Sequence, residues 1–415
     1  MCQPADNPIP RAGVYCWAGP GTERMIHLKY PNHRIDRASL WRSYDFDQLQ
    51  QARDKLGTTD AWVSYSWGFS EQTEQDDYQF LRDRLSNFQR LGIKTHAYVQ
   101  GTNLVWAEHQ DADYYCRDQR GRLIPYHRGR RLACPNNPAF RAYLHRKVAL
   151  ALREDVDGVF VDNMHLGLFP VMLGKNRATF FGCQCEHCQK RFKREAESAI
   201  PGLFLRQSGL FETYTDFRVR SLMELVQELA DQVHAAGKVF GTNSFDPRYD
   251  TRLFYGTDLD ELAHMQDYLL FENHSLPSRK ANNAYLQPVL EPLSKPVFVV
   301  SYHRGIGREK QYSQADFNAV YSESQALGYA PCYKASEYTT KGVWHNMRLD
   351  KLQPVQQIEA RRCRKVIADN TVPKLPWGRY LGKTFNRFYV PTMRGYYENM
   401  LLRRSMGWLY YRVVR

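Results

Sequence analysis

Residues 155–167 read DVDGVFVDNMHLG, and the reading of this stretch decides the fold. Val156, Val159, Phe160 and Val161 form a short apolar run that stops abruptly on Asp162 and Asn163. Such a run, bounded by Gly158 and polar residues, has the pattern of a strand buried on both faces of a parallel sheet. A carboxylate at the carboxyl end of that kind of strand stands where barrel enzymes keep their reacting groups. Asp162 could instead cap the following turn, and the rest of the chain argues against that plainer role.

Working outward, seven more apolar runs recur, giving strands expected at 13–17, 61–67, 93–100, 158–162, 238–243, 268–272, 297–303 and 329–334. Between them lie amphipathic stretches at 78–91, 139–152, 214–236 and 313–327 with apolar residues three and four apart, as in Leu222, Leu225, Leu229 and Val233. Alternating strand and helix patterns imply right-handed crossovers and a parallel sheet. Eight repeats in about 330 residues point to an α/β fold, a (β/α)8 TIM barrel. The long connections, 101–138 and 163–212, follow strands. In a barrel those loops build the active-site face.

The second of these loops carries FGCQCEHCQKRF at 181–192. Cys183, Cys185 and Cys188 make C-x-C-x2-C, so three thiols converge from one tight turn. Thiolates at that spacing suit tetrahedral zinc, which takes four ligands, and by sequence either Cys116 or Cys134 is within reach as the fourth. With four thiolates the ion would be structural, and no organic cofactor is expected.

Composition narrows the class. At 43% hydrophobic and 13% aromatic residues the chain can build a large core. There is no apolar run of membrane-spanning length, and MCQPADNPIPRAG at 1–13 lacks the basic-then-apolar pattern of a signal peptide. Nine cysteines, three of them clustered, fit a reducing compartment and a metal better than a disulfide framework. A cytoplasmic location follows as the expectation. The net charge of +13 is concentrated in residues 341–415, where sixteen Lys and Arg face four Asp and Glu. That leaves 41 basic against 40 acidic groups in 1–340. The expected division is therefore a barrel over 1–340 and a basic, aromatic-rich helical C-terminal extension over 341–415, packed on or beside it. Its alternative role is a surface for anionic membrane or acidic polysaccharide; no specific nucleic-acid motif accompanies the charge.

A barrel would gather the residues at its strand ends: Trp17, Trp67, Gln100, Asn103, Asp162, Asn163, His165, Asn243, Glu272, Asn273, His274, Tyr302, His303 and Glu337. Aromatics among them can stack on sugar rings and amides can bind hydroxyls. Cleaving an acetal needs one acid to protonate the leaving oxygen and a second carboxylate opposite it. Asp162 is the expected nucleophile or base. Glu272, after Leu269, Leu270 and Phe271, is the expected general acid/base, because an apolar flank holds a proton on a carboxyl group. Glu337 is the reserve acid. The histidines are expected to be substrate contacts or hydrogen-bonded structural groups, since nothing in their spacing is specific for a metal.

DGVFVDN at 157–163, ACPNNPAFRAYL at 133–144 and CQCEHCQKRF at 183–192 resemble glycoside hydrolase barrels. The cysteine pattern is similar to that of beta-galactosidases with a four-cysteine zinc site, in which a Cys in CPN-x-P-x-x-R precedes the fourth strand. That resemblance implies Cys134 as the fourth ligand beside Cys183, Cys185 and Cys188. Those beta-galactosidases carry Asn-Glu after the fourth strand and a Glu after the seventh. Here the fourth strand ends Asp162-Asn163, and SYHRG at 301–305 holds no carboxylate. The carboxylate pattern is instead similar to alpha-galactosidase-like and polygalactosaminidase-like barrels, which implies an oligo- or polysaccharide substrate with alpha linkages. A non-catalytic carbohydrate-binding protein on a degenerate barrel is the alternative.

Overall fold

The computed structural model describes residues 11–356 apart from 17, 30, 33–34, 119, 127–128, 167–182, 202–208, 245–250, 274–294, 302–312, 339–342 and 346–348. In chain order the strands are β1 Ala12–Cys16, β2 Thr58–Ser66, β3 Lys94–Gln100, β4 Asn103–Val105, β5 Arg130–Leu132, β6 Gly158–Asp162, β7 Val239–Thr242, β8 Leu269–Asn273, β9 Val297–Ser301, β10 Ala330–Lys334, β11 Ser336–Tyr338 and β12 Val343–His345. Eight of them form one parallel sheet in the order β7-β6-β3-β2-β1-β10-β9-β8. Each strand of that sheet thus pairs with the next one in sequence, and the last returns to the first. A parallel bridge between Asn243 and Leu270 joins the two ends, with the Ser244 amide donating to the Leu270 carbonyl at 2.9 Å. The sheet is a (β/α)8 barrel.

All eight expected strands are present, with ends displaced by no more than a turn. β4–β5 and β11–β12 are short antiparallel pairs following the carboxyl ends of β3 and β10. They escape the pattern because three residues are too few to show a period.

The four expected amphipathic helices appear as Gln75–Arg90, Pro138–Leu152, Leu210–Ala235 and Gln314–Leu327. Leu222, Leu225, Leu229 and Val233 are all fully buried against the sheet, as their spacing requires. Local chemistry sets the helix ends. The Asn137 side chain accepts from the Ala139 amide at 2.9 Å, with Pro138 in the first turn, and Ser313 with Asp316 forms a capping box. Among the described residues no helix is long and apolar enough to cross a membrane.

Side chains fill the barrel interior. Tyr15, Trp62, Tyr98, Phe160, Tyr268 and Phe298 pack there with Leu270, Val300 and Cys332. Rings this large fit because the facing strands carry glycine. A Cβ on Gly13 would lie 2.5 Å from the Trp62 ring, and one on Gly241 2.3 Å from Tyr268. At the amino ends of the strands Arg11 grips Asp60 with Nε and Nη2 at 2.8 and 2.7 Å, and His96 lies 3.2 Å from the same carboxylate. Burial works against the Asp60 anion, but Arg11 and His96 outweigh it and hold the group well below the usual carboxylate range.

Past residue 340, β12 pairs with β11, and the Val355 amide donates to the Lys55 carbonyl at 2.8 Å. Residues 357–415, with most of the basic and aromatic tail, lie outside the described residues.

Candidate active site

β3 and β6 run in register with Gln100 opposite Asp162, so the two strands deliver their last residues together. Tyr98 and Phe160 point into the barrel. Strand alternation therefore turns Gln100 and Asp162 to the same side, one layer nearer the carboxyl ends. Asp162 is 3% exposed. Its Oδ2 accepts from the Tyr98 hydroxyl at 2.7 Å and from Asn163 Nδ2 at 2.7 Å, and its Oδ1 accepts from Asn243 Nδ2 at 3.3 Å. Burial pushes the Asp162 carboxyl above its ordinary pKa, while these donors and the Arg130 cation pull it back down.

Asn163 adopts φ 55°, an unusual conformation for a residue with a side chain. Hydrogen bonds on both sides hold it there. Its Nδ2 meets Asp162, and its Oδ1 accepts from the Tyr126 hydroxyl at 2.7 Å. Its carbonyl accepts from Thr102 Oγ1 at 2.7 Å. Beside it the Gly101 amide donates to the Asp162 carbonyl at 2.7 Å, an approach that leaves 2.5 Å for any Cβ at Gly101. Backbone strain locked by neighbours in this way is a mark of functional sites.

The expected residues therefore separate into groups. Asn163 and Asn243 each touch Asp162 directly. Gln100 and Asn103 share Arg130, whose Nη1 donates to Gln100 Oε1 at 3.1 Å and Asn103 Oδ1 at 2.9 Å. Trp67 lies over the Tyr98 ring with centroids 4.7 Å apart, and His165 faces Tyr126 at 5.3 Å. Glu272 and Asn273 end β8, and Glu337 lies in β11 opposite Trp344; their side chains are outside the described residues. Trp17, His274, Tyr302 and His303 are also outside them.

Three residues of this site were not singled out from the sequence: Tyr98, Tyr126 and Arg130. Tyr98 was within reach of the alternation argument, being two residues before Gln100 on the same face. Arg130 lies in a loop already rich in arginine, with no signal to separate it from solvated neighbours. A further support sits behind Trp67. The buried Glu74 carboxylate accepts from the Trp67 and Phe69 amides at 2.6 and 3.0 Å and pairs with the buried Lys147 at 2.6 Å. This fixes the backbone after β2.

The cysteine cluster forms beside the same loop. The Sγ atoms of Cys134, Cys183, Cys185 and Cys188 lie within 4.8 Å of one another, all buried, with Cys134 3.4 Å from Cys188 and 3.6 Å from Cys185. Thiolates about 2.3 Å from one zinc would be about 3.8 Å apart, so the set fits a tetrahedral ion. Amide groups support the sulfurs. Arg117 N and Cys185 N point at Cys183 Sγ at 3.4 and 3.3 Å, and Asn136 Nδ2 at Cys188 Sγ at 3.3 Å. Cys116 stands outside the four, its thiol on the Ala133 carbonyl at 3.3 Å.

No family model matches the sequence, and no curated protein does. Solved structures do. A beta-galactosidase from the haloarchaeon Halorubrum lacusprofundi is 15% identical with a TM-score of 0.54, over 78% of this chain and 52% of that one. The chain has the barrel fold of this structure. A beta-galactosidase from Rahnella sp. R3 (15% identity, TM-score 0.54) is covered over 88% of this barrel chain and 56% of its own. For alpha-L-fucosidase isoenzyme 2 from Paenibacillus thiaminolyticus the values are 15% and 0.50, over 86% of this chain and 48% of that one. This chain thus spans about half the length of the structures it matches, and at such identities the likeness is one of fold.

Proposed function

We propose that the protein is a glycoside hydrolase acting on an oligo- or polysaccharide, with Asp162 as nucleophile or base and Glu272 as general acid/base. The observation that carries this reading is Asp162 itself. It is a buried carboxylate at the carboxyl end of the fourth barrel strand, with both oxygens oriented by Tyr98, Asn163 and Asn243. A fixed anion there can attack an anomeric carbon or activate water, while an acid across the pocket protonates the leaving oxygen. Alpha-linked sugars are the proposed substrate class, from the carboxylate pattern at the fourth and sixth strands. Zinc is the proposed ion at the four cysteines, where four thiolates leave no position for a reacting water.

Asp162→Asn should abolish turnover on a panel of aryl glycosides and polysaccharides while the fold is retained by circular dichroism. Turnover at the wild-type rate would sink the assignment. Glu272→Gln should spare aryl glycosides with good leaving groups and lose activity on poor ones, because only the latter need an acid.

One observation favours a second reading, carbohydrate binding without hydrolysis: Asp162 is nearly sealed from solvent and already accepts three hydrogen bonds. In that case wild-type and Asp162→Asn proteins bind sugars alike and neither hydrolyses them.

A further inference from the structure

Arg130 is a charged group of this site to which the proposed reaction gives no role. It is 2% exposed. In Arg11, Arg37 and Arg82 the side-on edge of the guanidinium, Nε with Nη2, grips a carboxylate: Asp60, Glu23 and Glu154 respectively. In Arg130 the same two nitrogens meet no acceptor among the described residues. Its Nη1 goes to the neutral amides of Gln100 and Asn103. A buried guanidinium without a carboxylate is costly, and burial draws its pKa below the ordinary arginine value.

The Gln100 oxygen that accepts from Arg130 also lies 3.2 Å from the Tyr98 hydroxyl, which donates to Asp162 at 2.7 Å. The Tyr98 hydroxyl has one proton, and its short contact gives that proton to Asp162, so Arg130 Nη1 is the donor that turns the Gln100 oxygen inward. Arg130, Gln100, Tyr98 and Asp162 thereby lie along one line of polar contacts. The ionisable groups acting on Arg130 are Tyr98, Tyr126, Glu74 and Tyr143. Glu74 is already paired with Lys147, and the tyrosines are neutral. Acting on Asp162 are hydrogen bonds from Tyr98, Asn163 and Asn243 and the charge of Arg130. Among the described carboxylates of the site, Asp162 is the one on which the Arg130 charge acts.

We propose that Arg130 is a positioning residue for Asp162: its buried charge keeps the carboxylate ionised, and its hold on the Gln100 amide keeps the neighbouring Tyr98 hydroxyl turned to Asp162. The role rests on Asp162 being the nucleophile or base, but its test needs no turnover. In the full chain labelled with 13C at aspartate carboxyls, the Asp162 signal is assigned by its loss in Asp162→Asn and titrated. Arg130→Met should raise the Asp162 pKa by about one unit, the size expected for losing a nearby opposite charge. Arg130→Lys should restore most of it, and Gln100→Met, which keeps the cation, should shift it by less than Arg130→Met does. If Arg130→Met does not fold, Arg130→Gln, which keeps donors without the charge, carries the test beside Arg130→Lys. An Asp162 titration identical to wild type in folded Arg130→Met or Arg130→Gln would overturn the proposal. With an active substrate in hand, the acid limb of kcat/KM should move up by the same amount as the titration. Wild-type protein that turns over no glycoside defeats the hydrolase reading and leaves the titration result standing.

Discussion

At the scale of single residues, the site is a carboxylate made expensive by burial and kept in place by donors. Tyr98 makes one of the two shortest of those hydrogen bonds, at 2.7 Å, and lies directly beneath the strand end. A hydrogen bond to a charged group contributes about 1.5–3 kcal/mol. Tyr98→Phe should therefore lower kcat/KM by about tenfold to a hundredfold if the bond persists in the transition state. The sign of the pH effect follows from the same contact. Tyr98 pulls the Asp162 pKa down, so its loss raises that pKa, and a reaction needing the anion loses its acid limb at higher pH. A Tyr98→Phe pH profile that overlays wild type would show that the hydroxyl does not tune Asp162.

At the scale of elements, the cysteine cluster ties two connections together. Cys134 belongs to the segment before the helix Pro138–Leu152, and the other three open the helix Glu186–Ala196 after β6. That helix is held otherwise by modest contacts. Phe192 packs edge-on to Tyr214 and Phe217, and Arg191 reaches Glu224 at 2.6 Å and Asn136 at 2.9 Å. Metal binding of this kind contributes directly to folding. Cys185→Ser should release bound zinc, measured by elemental analysis, and lower Tm by about 5 °C. Chelation of wild-type protein should do the same, with activity affected only through the loosened loop. Unchanged metal content and Tm in the variant would remove the metal from the cluster.

For the molecule as a whole, the barrel is closed at its amino end by the Arg11–Asp60–His96 contacts. Three parts of the ring, the lead into β1, β2 and β3, meet at one buried carboxylate. Because Asp60 titrates lower in the folded chain than in the unfolded one, its stabilisation is complete above the unfolded pKa. It is lost as pH falls through the folded one. Asp60→Asn should cost about 3 kcal/mol at pH 7, the size for breaking a buried pair. In urea melts the gap between variant and wild type should narrow below about pH 4, where the unfolded carboxyl takes up its proton. A constant gap across that range would mean that packing, not charge, carries the effect.

Periodicity in the sequence determined the eight strands, four of the flanking helices, the parallel sheet and the position of Asp162 at a strand end. It could do so because burial on both faces leaves an unbroken apolar run that needs no knowledge of neighbours. The C-x-C-x2-C spacing determined three members of the cluster for the same kind of reason, since their convergence is local. The fourth, Cys134, lies 49 residues before Cys183; spacing left it level with Cys116, the likeness to the four-cysteine beta-galactosidases picked it, and the packing of two loops brings it to the cluster. Tyr98, Tyr126 and Arg130 are likewise decided by tertiary structure. Their roles depend on which hydrogen bonds survive once water is excluded, and a chain of contacts across β3, β5 and β6 leaves no period in the sequence to read.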